Sequence, residues 1–176
     1  MLVKENRISC WYPFEEQVDR LPAKEVCLWS RTGSYTWRET YDNACRYASF
    51  MLELGVKPRD YVAFYLTNHA EFLFALLATF AIGTPAAFQN SNLAGDALIH
   101  CLKLSGSKIL LVDEDSECIS RIEDVRERIE GEVGMKIVII DAKTKQHIAS
   151  LPATRPDNSY RDKTSPTDPF ALIYTR

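Results

Sequence analysis

The chain has 176 residues, of which 46% are hydrophobic and 26% charged, a composition typical of globular proteins. Its formal net charge is -3, from 21 Lys and Arg against 24 Asp and Glu. This balance argues against nucleic-acid binding, because such proteins carry an excess of basic residues. The longest apolar stretch, residues 72–82, has about half the length that a membrane-spanning helix needs. We therefore predict no nucleic-acid partner and no transmembrane span, and expect any membrane association to be peripheral.

The five cysteines are scattered along the chain without a CxxC pair. An odd number of isolated cysteines is typical of free thiols in a reducing compartment. A zinc site needs closely spaced pairs of ligands, and the sequence has none, so we predict no metal site. The start of the chain carries Lys4, Glu5 and Arg7 and does not resemble a secretory signal, which predicts an intracellular location.

A hairpin and a helix are predicted in the first third of the chain. Residues 26–29 and 34–37 flank a short turn and are typical of two paired strands. Thr36 and Glu39 have the spacing of a capping box, which predicts a helix start, and Gly55 is placed to end that helix. The inward positions of the helix recur at helical spacing: Tyr41, Ala44, Cys45, Ala48, Met51 and Leu52.

From residue 61 onward, apolar runs alternate with helical patterns. Strands are predicted at residues 61–66, 86–88, 109–112, 136–140 and 170–175. Helices are predicted at residues 72–82, 93–104 and 119–129, and the first is apolar on every side, which predicts complete burial. Continuous apolar strands alternating with helices are typical of parallel sheets. The predicted class is therefore α/β, a doubly wound and mainly parallel sheet with helices on both faces, preceded by a short hairpin.

Local signals refine these helices. Asn68 with Glu71 is predicted to cap the helix over residues 72–82, and Asn92 to cap the next one, whose inward side includes Ala97. Asp124 and Arg128 have the spacing of an i,i+4 ion pair.

Residues 141–167 form a polar segment that contains three prolines and shows little periodicity. Such a stretch is unusual inside a compact domain. We predict that it is a surface excursion within a single domain spanning residues 1–176.

Phosphate binding needs a glycine-rich loop between a strand and a helix. The chain has only 7 Gly and contains neither GxGxxG nor GxxxxGK(S/T). Gly131 and Gly134 stand between a helix and a strand, the wrong order, and are interpreted as a helix terminator. The acidic residues 113–117 follow a strand, where α/β proteins place ligands, and carboxylates could bind Mg²⁺ there. Capping of the next helix is the interpretation we favour.

No catalytic residue is predicted. The histidines are far apart and no GxSxG motif accompanies them: His69, His100 and His147. Lys143 and Lys145 belong to the polar segment and are expected to be solvated. The aromatic cluster at residues 11–14 is expected to pack the N-terminal segment onto the core, with a partner-binding patch as the alternative.

Several stretches resemble ATP-dependent adenylate-forming (AMP-binding) enzymes. Residues 168–175, Asp-Pro-Phe-Ala-Leu-Ile-Tyr-Thr, are similar to the string that leads into a Ser-Gly-Thr-Thr-Gly phosphate loop in that family. Residues 34–39 and 55–63 resemble its earlier segments. Residues 81–90, followed by 98–102, are similar to a narrower branch, the very-long-chain fatty acyl-CoA synthetases, also called fatty acid transport proteins.

The resemblance implies a fatty acid–CoA ligase that uses ATP, Mg²⁺ and coenzyme A and passes through an acyl-adenylate. It implies that Tyr174 and Thr175 are the nucleotide-binding positions present, and it assigns no catalytic residue to this chain. It also implies a location at the endoplasmic reticulum, the peroxisome or the plasma-membrane surface.

Arg176 stands where the family has the Ser of the phosphate loop. We therefore expect an N-terminal fragment of a synthetase, inactive alone, that binds none of these cofactors by itself and self-associates. The alternative is a non-catalytic α/β module that binds or regulates a full-length synthetase.

Overall fold

The computed structural model describes residues 8–31 and 33–174. These residues fall into two compact units. The first comprises the described residues up to Pro58 together with Asn68–Thr84 and Ile148–Asp168. The second comprises Arg59–Thr67, Pro85–His147 and the chain from Pro169 onward. The predicted α/β class, with a parallel sheet, helices around it and an N-terminal hairpin, is confirmed.

The first unit begins with a helix that the sequence pattern did not predict. Among the described residues, this unit contains α1 (Trp11–Arg20), the hairpin strands β1 (Val26–Ser30) and β2 (Gly33–Thr36), the long helix α2 (Trp37–Glu53), α3 (Ala70–Ala81) and a 3₁₀ turn (Asn158–Tyr160). Trp11 is completely buried and lies 5.1 Å from Tyr41 between ring centroids. The prediction that the N-terminal aromatic cluster packs onto the core is therefore confirmed.

Helix α2 begins as predicted. The Glu39 amide donates to Thr36 Oγ1 at 3.1 Å, and the Thr36 amide donates to Glu39 Oε2 at 2.8 Å, which completes a capping box. Beyond the helix, Gly55 adopts a φ of +86°, a backbone conformation that favours glycine. Local spacing was sufficient here because both partners of the cap lie within one helical turn.

Helix α3 differs from its prediction in two ways. Its N-cap is His69, without a side-chain hydrogen bond, so the Asn68 cap was wrong. Its buried side includes Phe74, which packs edge-on against Tyr35 with ring centroids 5.1 Å apart. The apolar residues of its other side are only half-buried: Phe72, Leu73, Leu76 and Phe80. Complete burial was therefore wrong, because the composition of a helix does not say how many neighbours it has.

The second unit is built on five parallel strands in the order β6-β5-β3-β4-β7. The strands are β3 (Val62–Tyr65), β4 (Ala86–Phe88), β5 (Ile109–Asp113), β6 (Lys136–Ile140) and β7 (Ala171–Ile173). Every residue of β3 and β5 is buried, which explains their uninterrupted apolar sequences. From β3 the chain adds β4 on one side and then crosses to add β5 and β6 on the other, so the sheet is doubly wound.

The helices that follow β4 and β5 cover one face of this sheet. They are α4 (Gly95–Ser105), α5 (Ser116–Glu123) and α6 (Arg126–Arg128), which continues into a π turn (Ile129–Val133). The core on this face joins helix and strand residues: Leu98, Leu102, Ile122 and Ile129 with Ala63, Tyr65, Leu110 and Val112. Gly134 ends the π turn in the left-handed conformation, which confirms that helix-terminator role, whereas Gly131 lies inside the turn.

Three predicted details of these helices were wrong. The N-cap of α4 is Ala94 rather than Asn92, and Ala97 is exposed. Arg128 pairs with Glu132 at 3.0 Å and with Asp96 at 2.8 Å instead of with Asp124. The helix is interrupted after Glu123, so the regular spacing assumed for an i,i+4 pair does not hold there.

The polar segment at residues 141–167 contains more regular structure than its sequence indicates. Helix α7 (Ala142–Ser150) forms there, and Asp141 accepts a hydrogen bond from the Thr144 amide at 2.8 Å. Within the same segment Ile148 and Arg161 are buried. The helix escaped prediction because it is short and mostly polar. Among the described residues, no helix is long and apolar enough to cross a membrane.

Candidate nucleotide-binding edge

The carboxyl ends of the five parallel strands lie along one edge of the sheet, where proteins with this architecture bind ligands. One residue at or just beyond each strand end defines this carboxyl edge: Thr67, Gln89, Asp113, Asp141 and Tyr174. All five belong to the second unit. The sequence-predicted site residue Tyr174 is therefore placed at the edge that the fold favours for ligands.

The winding direction of the sheet changes between β3 and β5. A buried carboxylate lies at this point of the carboxyl edge. Asp113 Oδ2 accepts hydrogen bonds from the Thr67 amide at 2.9 Å and from the Thr67 hydroxyl at 2.7 Å. Asp113 Oδ1 accepts from the Asp115 amide at 3.0 Å. With 7% of its surface exposed, Asp113 serves to tie two strand ends together.

The remaining acidic residues after β5 also have structural partners. Asp115 caps α5 by accepting from the amides of Glu117 and Cys118 at 3.0 and 3.1 Å. Glu114 binds the ammonium group of Lys145 at 2.7 Å, so Lys145 is ion-paired rather than simply solvated. The capping interpretation is confirmed for Asp115, whereas Asp113 binds Thr67 and Glu114 binds Lys145. Across residues 8–31 and 33–174, no group of three or more His, Cys, Asp or Glu side chains could hold a metal ion.

Tyr174 follows β7 directly and is half-buried. Its hydroxyl oxygen is shielded from solvent and has no hydrogen-bond partner of good geometry within the described part of the chain. Burial raises the pKa of Tyr174, and the side chains of Gln89 and Ser105 lie near its hydroxyl. At neutral pH the group is therefore a protonated phenol. Thr175, the second predicted site residue, lies outside the described residues.

The three histidines lie on separate helices of the described chain. His69 is the N-cap residue of α3, whereas His100 and His147 are exposed on α4 and α7. Burial raises the pKa of Cys45 to about 12 and that of Cys118 to about 11. Both thiols are therefore protonated at neutral pH, and a protonated thiol is a poor nucleophile.

Gln89 is a residue of this edge that the sequence pattern did not single out. It follows the three-residue strand β4, has 5% of its surface exposed, and donates from Nε2 to the Ala87 carbonyl at 3.3 Å. The sequence did offer one signal, because Gln89 is a polar residue directly after a short apolar strand. Only the strand order, with β4 beside β7, places Gln89 next to Tyr174.

A doubly wound parallel sheet with its strand ends gathered at one edge is the architecture of nucleotide- and cofactor-binding α/β proteins. Residues 14–175 match the sequence model of the family described as AMP-binding enzyme. The chain belongs to this family, and the resemblance recognised in the sequence is confirmed.

Two relatives illustrate the match. The chain is 33% identical over 176 residues to a very long-chain fatty acid transport protein of Cochliobolus heterostrophus, covering 98% of this chain and 26% of the relative. It is 39% identical over 128 residues to isopenicillin N epimerase component 1 of Hapsidospora chrysogena, covering 72% of this chain and 21% of the relative. The chain thus spans about a quarter of the length of these relatives.

Solved structures share the fold. The N-terminal domain of FACL13 from Mycobacterium tuberculosis superposes with a TM-score of 0.82 at 20% identity, covering 96% of this chain and 42% of that one. A Mycobacterium tuberculosis fatty acyl CoA synthetase gives a TM-score of 0.76 at 20% identity, covering 84% and 29%. At this identity, the likeness establishes the fold alone.

Proposed function

We propose that the 176 residues are an N-terminal subdomain of a fatty acid–CoA ligase that acts on long or very long chains. The observation that carries the proposal is the family match over residues 14–175, which ends where β7 leads into Tyr174. The names of the matching fatty acid transport proteins support a fatty acid as the substrate. They also support our proposal that the protein works at an intracellular membrane surface, bound peripherally.

In the proposed reaction, the fatty acid carboxylate attacks the α-phosphate of ATP and displaces pyrophosphate. The sulfur of coenzyme A then attacks the acyl carbon and displaces AMP. Tyr174 and Thr175 would lead the chain from the sheet edge to the nucleotide phosphates. Mg²⁺ would neutralise phosphate charge, but the described residues alone do not fit a metal site, because they contain no cluster of suitable ligands.

A second candidate substrate comes from the relative with 39% identity, which is named as a component of an isopenicillin N epimerase. Its name favours a carboxylic acid related to isopenicillin N over a fatty acid. The non-catalytic module that regulates a full-length synthetase remains the alternative from a different functional class.

A chimera tests the proposal. Residues 8–175 replace the matching segment of the very long-chain fatty acid transport protein of Cochliobolus heterostrophus, and pyrophosphate release and acyl-CoA formation are measured. The acids are palmitate, lignocerate and isopenicillin N, each with ATP and coenzyme A. The control is the same relative without its matching segment.

We expect ATP-dependent acyl-CoA formation from palmitate or lignocerate that the control lacks. Turnover of isopenicillin N alone would select the second substrate. A chimera that folds, binds ATP and activates none of the acids would favour the regulatory module.

The 176-residue chain itself is expected to form no acyl-CoA from acids of C16 to C24, because its sequence contains no glycine-rich phosphate loop. The resemblance assigns only Tyr174 and Thr175 to the nucleotide site, and two residues supply too few contacts for tight binding, so we expect an ATP dissociation constant weaker than about 100 μM. Isothermal titration calorimetry checks the affinity. Turnover that persists after host synthetases are removed would contradict the expected inactivity.

A further inference from the structure

Strand pairing places two buried polar groups side by side at the end of β7. Strands β4 and β7 are parallel, with Ala87 opposite Leu172 and Phe88 opposite Ile173. Extending this register by one residue brings Gln89 opposite Tyr174, and the side chain of Gln89 lies near the Tyr174 hydroxyl. Because side chains alternate along a strand, these two share the face of Ala87 and Leu172, which pack in the core beneath α4.

Each of the two side chains has a buried atom without a hydrogen-bond partner in the part of the chain that the structure describes. Gln89 Nε2 is used by the Ala87 carbonyl, which leaves Oε1 unpaired. The Tyr174 hydroxyl is unpaired as well. The neighbouring Ser105 hydroxyl donates to the Leu102 carbonyl at 2.7 Å. Buried polar atoms are rarely left unsatisfied, and here one is an acceptor and the other a donor.

We propose that Gln89 is a positioning residue, whose Oε1 accepts a hydrogen bond from the Tyr174 hydroxyl and thereby holds the end of β7. The inference rests on the proposed function, in which Tyr174 and Thr175 lead the chain to the nucleotide. Gln89 acts through Tyr174 and does not touch ATP.

Hydrogen exchange of the intact 176-residue chain, without nucleotide, tests the contact. Gln89→Met keeps the side-chain length and removes the acceptor, whereas Tyr174→Phe removes the donor. We expect each variant to speed exchange of the peptide covering residues 169–176 about fivefold, the effect of one hydrogen bond. The double variant should be no faster than either single one, because both changes break the same bond. Gln146→Met, at an exposed position of α7, is the matched control and should exchange at the wild-type rate.

A spectroscopic readout separates this role from a general packing effect. The Tyr174 hydroxyl proton should give a slowly exchanging NMR signal in the wild type that Gln89→Met abolishes. If Gln89→Met fails to fold, Tyr174→Phe tests the same hydrogen bond from the β7 side. Additive effects in the double variant, unchanged exchange in both single variants, or a hydroxyl signal that persists in Gln89→Met would each overturn the contact.

The functional consequence is measured in the chimera described above. Gln89→Met should raise the KM for ATP about fivefold with little change in kcat, because the substituted residue is remote from the reacting atoms. An unchanged KM would overturn the positioning role. A chimera without activity, combined with intact coupling in the exchange experiment, would reject the proposed function while leaving the Gln89–Tyr174 contact standing.

Discussion

The two compact units use different contacts to bring distant parts of the chain together. In the second unit, apolar strands pair in parallel and bury residues such as Leu110 completely. In the first unit, two arginines of the late polar segment bind residues far away in the sequence. Arg155 holds Glu15 through two hydrogen bonds of 2.6 and 2.8 Å, and Arg161 donates to the Ala81 carbonyl.

The chemistry of the buried arginine shows how the first unit compensates for a charge in its interior. Arg161 has 1% of its surface exposed and donates to the Pro156 carbonyl at 3.1 Å and to Asn158 Oδ1 at 2.8 Å. Its guanidinium also lies 5.1 Å from the centre of the Tyr12 ring. Oxygen dipoles and an aromatic face replace water around the charge. Apolar periodicity therefore identifies the second unit, whereas in the first unit hydrogen bonds and an ion pair hold the late polar segment to residues far away in the sequence.

The largest expected effect concerns apolar burial in the second unit. Leu110→Ala removes a completely buried side chain from the core of the second unit and should lower the free energy of unfolding by about 4 kcal/mol. Leu104→Ala, at a position with 62% exposure, should change it by less than about 0.5 kcal/mol. Urea denaturation followed by circular dichroism measures both. Equal losses would show that burial of Leu110 does not stabilise this unit.

A smaller loss of unfolding free energy is expected in the first unit, where the polar segment at residues 141–167 contacts the chain just after α3. A Cβ atom on Gly83 would lie 2.3 Å from the Tyr160 carbonyl oxygen, at a φ of +65°. Gly83→Ala should therefore cost about 3 kcal/mol in unfolding free energy. Gly55→Ala is the matched control, because its φ is +86° but no atom lies within 4 Å, and it should cost about 1 kcal/mol. Similar losses of unfolding free energy for both variants would show that the Tyr160 backbone moves away from the new Cβ atom at little cost.

The ion pair of the first unit should contribute less, and its contribution should depend on pH. Burial raises the pKa of Glu15, but hydrogen bonds and charge attraction from Arg155, with a hydrogen bond from Tyr41, hold it below its ordinary value of 4.5. Glu15→Gln should lower the unfolding free energy by about 1 kcal/mol at neutral pH. Because the folded-state pKa is depressed, this difference is complete above pH 4.5 and is lost as the pH falls through the folded value.

Denaturation series of wild type and Glu15→Gln between pH 3 and pH 7 check the sign of this dependence. Glu16→Gln, an exposed neighbour on α1, is the control and should leave stability nearly unchanged. A difference between wild type and Glu15→Gln that grows on acidification would contradict the ion-pair explanation.

The smallest effect concerns association rather than folding. Strand β7 is an outer strand of the sheet, and Phe170 and Ile173 are 62% and 70% exposed. We expect the chain to self-associate and to bind the dye ANS, and Ile173→Lys to weaken association about threefold, because a charge on an outer strand opposes pairing. Trp29→Lys places the same charge on the hairpin of the first unit, at a position with 78% exposure, and is the control. A monomer without dye binding at tens of micromolar protein, seen by light scattering, would contradict this expectation.

The fold class could be predicted because its signals are local. The apolar runs at β3 and β5 and the capping box of Thr36 and Glu39 depend on residues close in sequence, and all were confirmed. The caps assigned to Asn68 and Asn92 failed because a suitable residue type caps a helix only where the chain enters it at the required angle, which neighbouring elements decide.

The sequence by itself determined the parallel α/β class, the hairpin and the family of this protein. Only the tertiary structure decided that Asp113 ties β5 to Thr67, that Gln89 stands beside Tyr174, and that Arg161 is buried. The physical reason is the range of the interactions. Helix periodicity and caps involve residues within a turn or two of one another, whereas these contacts depend on the order in which the strands are arranged and on where a polar segment packs, and no local pattern encodes either.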